Sequence, residues 1–145
     1  DMVETLHDYG GIGLAAPQIN ESVRIAIIDV PGGISRYGKL EEIPFCVFIN
    51  PKVTVLGKKV EGYWEGCLSI PGLRGYVERP QHILVDYLDL SGKPQQKELE
   101  DFTATVVQHE FDHLDGLLYI DHVKDSKLIM FEDEYERYML SERPE

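Results

Sequence analysis

The chain has 145 residues, 43% of them hydrophobic and 10% aromatic, which is enough to bury one domain's core without cross-links. Its formal net charge of −12 excludes a basic nucleic-acid-wrapping surface. No apolar run approaches the ~20 residues of a membrane span, no secretory signal opens the chain, and two cysteines are too few for a disulfide framework.

In chain order, Met2 to Tyr9 places apolar residues at 2, 3, 6 and 9, the spacing of a helix ended by Gly10 and Gly11. GGIGLAAPQ (Gly10 to Gln18) looks like a phosphate loop but follows no strand, so its small residues are read as allowing close backbone approach. VRIAIIDV, CVFINP and KVTVLG are rich in β-branched residues bounded by Gly, Pro or Asn and read as three strands. Between the first two, PGGISRYGKLEEIP reads as the longest polar loop. WEGCLSIPG (Trp64 to Gly72) is expected to turn at Pro71-Gly72. HILVDYLDL and PQQKELED form a hairpin about Ser91-Gly92. FTATVVQHEFDHL is the strongest helix, stopped by Gly116, and LIMFEDEYERYML reads as a C-terminal helix with an acidic outer face. The expected fold is α+β, with antiparallel strands packed around a central helix that carries an HExxH motif.

HEFDH sets His109 and His113 one helical turn apart, so both imidazoles can hold one metal ion, with Glu110 beside the first. A bare HExxH also occurs as two surface or packing histidines, so a third ligand is needed to decide. Downstream, Glu132, Glu134 and Glu136 read as a solvated helix face and His122 as part of a short strand, while His7 and His82 read as surface residues. Upstream, Cys67 is the stronger candidate, because two imidazoles and a thiolate leave a fourth tetrahedral position open. The alternative makes Cys67 a small buried apolar residue, as Cys46 reads. Gln18 brings an amide able to donate to an oxyanion, although taken alone it reads as a turn residue after Pro17.

Three stretches together resemble the peptide deformylase family: Gly11-Ile12-Gly13-Leu14-Ala15-Ala16-Pro17-Gln18 as G-x-G-x-A-A-x-Q, Glu65-Gly66-Cys67-Leu68-Ser69 as E-G-C-x-S, and Gln108-His109-Glu110-Phe111-Asp112-His113 as Q-H-E-x-D-H, in that order. The resemblance implies a hydrolase that removes the formyl group from the N-terminal formylmethionine of new polypeptides, releasing formate. Cys67, His109 and His113 would hold one divalent metal ion, Fe2+ in the cell, with Zn2+ or Ni2+ possible in preparations. Glu110 would be the general base, and Gln18 with the backbone N–H of Leu68 would donate to the oxyanion. Ile12, Gly13, Tyr63, Phe102, Thr105 and Val106 would line the substrate pocket, with Arg74 bordering the peptide groove.

The resemblance further implies N-formylmethionyl nascent peptides as partners, transient association with the ribosome, no membrane and no specific nucleic-acid binding. The implied location is the bacterial cytoplasm or an organellar matrix or stroma. Residues 1–145 are expected to form a single metallohydrolase domain without the few dozen residues that precede the first helix in the family. Gly10 stands where the family commonly has an acidic residue, so Arg79 is expected to lack a carboxylate partner and the segment from Pro71 to Pro80 to be a looser loop. Two rival classes remain: a zinc endopeptidase, favoured by HExxH alone, and a metal-binding module in which Glu110 has no role.

Overall fold

The computed structural model describes residues 2–8, 12–30, 33–35, 38–40 and 43–140. Gly10 and Gly11, expected to end the first helix, lie outside them. Helix α1 (Met2–Asp8) leads to β1 (Gly13–Ala15), a 3-10 turn (Ala16–Ile19) and β2 (Ile25–Val30). The segment expected as a polar loop instead contains a short antiparallel ribbon, β3 (Gly33–Ser35) and β4 (Gly38–Leu40). Next comes β5 (Ile43–Val55), a single bent strand where two were expected. Asn50 explains the difference. It takes a left-handed conformation (φ 50°) and its N–H donates to Arg24 O, so the ladder resumes in a shifted register instead of breaking at Pro51.

Strands β6 (Val60–Cys67) and β7 (Ile70–Pro80) form a hairpin, and β8 (His82–Leu88) and β9 (Pro94–Glu100) form the expected second one. The β6–β7 reversal falls at Leu68-Ser69, with Cys67 paired to Ile70, and Pro71-Gly72 lies inside β7, where Gly72 bends the strand at φ 79°. The segment expected as a loose loop is therefore a central strand. Helix α2 (Asp101–Leu114) follows, then a 3-10 turn (Tyr119–His122) where a short strand was expected. Ile129–Phe131 forms β10 along the free edge of β7 before helix α3 (Glu132–Tyr135) and a π-helical turn (Glu136–Leu140), so the C-terminal helix starts four residues later than its apolar pattern suggests.

The strands make a five-stranded antiparallel sheet, β1-β2-β5-β8-β9, and a three-stranded one, β10-β7-β6. Alternation in β8 turns Ile83, Val85 and Tyr87 inward. They meet Ala104, Val107 and Phe111 of α2, spaced 3 and 4 residues apart on one helix face, with Phe48 edge-on to both Tyr87 and Phe111. The opposite face of α2 is thereby left for the space between the two sheets. Described helices include none long and apolar enough to cross a membrane.

Arg74 joins the C-terminal segment to this frame. It is 0% exposed, its Nε and Nη2 donate to Glu132 at 2.8 and 3.0 Å, Nη1 donates to Trp64 O, and the guanidinium lies 5.0 Å from the Tyr135 ring centre. Glu132 is thus a buried cation's partner and not part of a solvated face. Removing it takes away the bidentate carboxylate of a buried cation, so Glu132→Ala is expected to cost about 2–4 kcal/mol in urea unfolding, whereas Glu136→Ala, on an exposed residue, should change the midpoint little.

Candidate metal centre

Three elements deliver the site. Helix α2 projects His109 and His113 from adjacent turns, their rings 5.3 Å apart and nearly perpendicular. The Leu68-Ser69 turn brings Cys67 over them, and the 3-10 turn after β1 brings Gln18. Cys67 Sγ, one nitrogen of His109 and one of His113 all lie within 4.8 Å of one another. Cys67 Sγ is 3.5 Å from His113 Nε2. Zn–S and Zn–N bonds of ordinary length enclosing a tetrahedral angle would separate the two donors by about 3.5 Å. The donor set therefore fits a single first-row divalent ion.

His109 Nδ1 is 2.8 Å from Glu65 Oε1, which leaves Nε2 for the donor cluster. Arg79 donates to both oxygens of Glu65, at 2.7 and 3.0 Å, and to Asp112 Oδ2 at 2.8 Å. Arg79 accordingly has two carboxylate partners, against the expectation drawn from Gly10. Burial pushes the Glu65 carboxyl up, but hydrogen bonds with His109 and Arg79 outweigh it and hold the group below its ordinary value. At Cys67 burial also opposes ionisation, and hydrogen bonding to His109, His113 and the Ser69 N–H overrides it, bringing the thiol down to about 5.

Glu110 is different. It is buried, its pKa is raised by burial against the lowering effect of both histidines, and Oε2 has no hydrogen-bond partner among the described residues. A Cβ placed on Gly13 would come 2.6 Å from Glu110 Cγ and 2.9 Å from Oε1, so β1 is pressed against this carboxyl. Gln18 Oε1 accepts the Ala15 N–H at 2.8 Å, which turns Nε2 toward Ser69 Oγ (3.3 Å) and Cys67 Sγ (3.8 Å).

A cleft of about 940 Å³ opens over this cluster. Gln18, Cys67, Leu68, His109 and Glu110 line its metal end, and Ile12, Gly13, Tyr63, Phe102, Thr105 and Val106 line its wall. Arg74 does not border the groove, because its pairing with Glu132 holds it beneath the β6–β7 hairpin, behind Gly66. Glu65 and Asp112 had no role in the sequence reading, although both sit inside the quoted motifs, and Arg79 entered it only as a cation expected to lack a carboxylate. The described histidines outside the cluster lie elsewhere: His7 is exposed beside Asp29, His82 pairs with Glu98 and Glu100 on the β8–β9 edge, and His122 Nε2 lies 3.0 Å from Asp112 Oδ2. Cys46 packs against the core, as expected of an apolar residue.

A donor triad, a buried carboxyl beside it and an open cleft above both define the class of single-metal hydrolases built on an HExxH helix. Within that class the chain belongs to the peptide deformylase family: the family model described as polypeptide deformylase matches residues 1–128. A peptide deformylase of Leptospira biflexa is 40% identical over 134 residues, covering 92% of this chain and 75% of that one. Peptide deformylase 2 of Pseudomonas syringae pv. tomato is 44% identical over 133 residues, 92% and 74% of the two chains. Among solved structures, the class I type b peptide deformylase of Acinetobacter baumannii with Met-Ala-Ser bound superposes with a TM-score of 0.79 at 36% identity, covering 84% of this chain and 76% of that one. The Synechococcus elongatus enzyme in complex with actinonin gives 0.76 at 35% identity, covering 99% and 74%.

Gly13→Ala tests the tight contact with Glu110. The added methyl group must displace the Glu110 side chain or β1 itself, so turnover should fall about 10²-fold, the scale of a mispositioned general base. Metal content, measured by atomic absorption, should stay at the wild-type level.

Proposed function

We propose that this protein removes the formyl group from N-formylmethionyl nascent peptides, with Cys67, His109 and His113 holding one divalent metal ion. The reading rests on one observation: Cys67 and His109, clustered with His113, share a single cleft with Gln18 and with Glu110, whose Oε2 has no partner among the described residues and whose side chain is pressed against Gly13. A formyl carbon bears only hydrogen on its far side, so it fits where a longer acyl group would meet that wall.

When bound, the metal supplies Lewis-acid polarisation and a water acidic enough to ionise near neutral pH. Glu110 accepts the proton that water gives up and returns it to the departing amine nitrogen. Burial raises its pKa, which makes the carboxylate a better proton acceptor than an exposed one. Gln18 Nε2, oriented by its bond to Ala15, and the Leu68 backbone N–H donate to the carbonyl oxygen as it gains charge. Water and the formamide are consumed, and formate and a free amino terminus are released. Ile12, Tyr63, Phe102, Thr105 and Val106 take the methionine side chain.

The resident ion is Fe2+. Zn2+ and Ni2+ bind N/S donors more tightly and displace it during preparation, and a ferrous thiolate site loses activity in air as Cys67 oxidises. Action on nascent chains implies transient association with the ribosome, in the bacterial cytoplasm or an organelle matrix or stroma. The reading treats residues 1–145 as one metallohydrolase domain.

Purified protein loaded anaerobically with Fe2+ should release formate from formyl-Met-Ala-Ser faster than the Zn2+ form and leave acetyl-Met-Ala-Ser intact. Glu110→Ala should keep the metal and lose roughly 10²-fold or more in kcat. Cleavage of internal peptide bonds without formate release would overturn the assignment in favour of an endopeptidase.

A further inference from the structure

The outer face of the β8–β9 hairpin carries a second group of donors. The alternation that turns Ile83, Val85 and Tyr87 inward turns His82 outward. Antiparallel register sets His82 directly opposite Glu100, with Glu98, opposite Leu84, as its diagonal neighbour on the same face. His82 Nε2 is hydrogen-bonded with Glu98 Oε1 and lies 3.5 Å from Glu100 Oε1. One donor atom from each of the three side chains lies within 4.8 Å of the other two. Among the described residues, only the group at Cys67 has donors so gathered.

An ordinary ion pair does not account for this arrangement. An imidazole carries at most one hydrogen on Nε2, and that hydrogen points to one oxygen. Here two carboxylates converge on the one nitrogen. Glu98 takes the hydrogen bond, and Glu100 is left without one among the described residues. No lysine or arginine among the described residues pairs with either carboxylate, and Lys59, which reaches this end of the hairpin, is paired with Asp101. His7 and His122, by contrast, each face a single carboxylate, Asp29 and Asp112.

One imidazole nitrogen and two carboxylate oxygens suit a first-row divalent ion such as Zn2+, whereas Ca2+ and Mg2+ take oxygen sets. Bonds of about 2.0–2.2 Å enclosing a tetrahedral angle would separate the donors by about 3.4 Å. His82 and Glu100 already stand 3.5 Å apart. The Glu98 and Glu100 side chains are 57% and 64% exposed, so both are free to adjust to an ion, and water can complete its shell.

We propose that His82, Glu98 and Glu100 form a second metal site, which takes a first-row divalent ion such as Zn2+ and is independent of the one at Cys67. Glu100 immediately precedes Asp101, the first residue of α2, so the ion ties β8 to β9 where the chain enters the helix that carries His109 and His113.

Equilibrium dialysis of the full chain against Zn2+ tests this by counting ions. The wild type should take up two equivalents. His82→Ala should bind one and release formate at the wild-type rate. Glu98→Gln, which keeps the shape and removes the charge, should weaken the second step by about 10-fold or more, since even partners outside the coordination shell count on that scale. Cys67→Ser should lose the other equivalent and keep this one, and His7→Ala should keep both. A wild type that stops at one equivalent overturns the inference, and so does a second equivalent that survives in His82→Ala. Because the count does not depend on turnover, a protein that binds two ions and releases no formate would sink the deformylase reading alone.

Discussion

The site depends on one buried ion pair. Arg79 holds Glu65 with two hydrogen bonds, Glu65 holds His109 Nδ1, and Arg79 reaches on to Asp112 of the same helix. Two charges only 5% and 7% exposed would be costly apart, and each is satisfied here because the pairing is bidentate and both ends have further partners. The consequence is geometric. Glu65 and Arg79 belong to the β6–β7 hairpin and Asp112 to α2, so the pair staples hairpin to helix. Cys67 lies two residues beyond Glu65, and His113 follows Asp112, so the same staple sets the separation of the donors.

The electrostatics carry a definite sign. Because Glu65 is held below the 4.5 of a free carboxyl, the pair contributes stability above that pH and gives it up as acid protonates the folded group at a lower value. Glu110 runs the other way, since its raised pKa means that ionising it in the folded protein opposes stability above the ordinary carboxylate range. The fold thus spends stability on one carboxyl of the site while drawing it from the other. His109 lies between them, its ring also nearly parallel to that of the buried Tyr119 at 6.0 Å.

Much of this was legible because helical periodicity is a strong local signal. The 102–114 pattern marks α2, and HEFDH sets two imidazoles on one face of it with a carboxyl beside the first, while spacing alone left packing histidines as the alternative. The 82–101 alternation about Ser91-Gly92 gives the β8–β9 hairpin. The α+β class follows from those elements, and the family's structures share it. What was misread depends on contacts distant in sequence. The β6–β7 turn sits at Leu68-Ser69, which contains neither Gly nor Asn, while the stronger local signal, Pro71-Gly72, is absorbed as a bend in a strand. Ile129 to Phe131 has a helical apolar pattern, but the unpaired edge of β7 takes it as a strand. Arg74 reads as a groove residue until Glu132, 58 positions later, is seen to claim it. Glu65 and Arg79 gave no sign of their partnership, because nothing in local sequence says that residue 65 faces residue 79 across a hairpin and residue 109 on a helix.

The central claim is that a hairpin thiolate and two helix imidazoles form one metal centre. X-ray absorption at the metal edge of the loaded protein tests it most directly. The account predicts one sulfur at about 2.3 Å and two imidazole nitrogens at about 2.0–2.1 Å for the zinc form, with the sulfur contribution lost in Cys67→Ser. A first coordination sphere of nitrogen and oxygen alone, unchanged by that substitution, would contradict it.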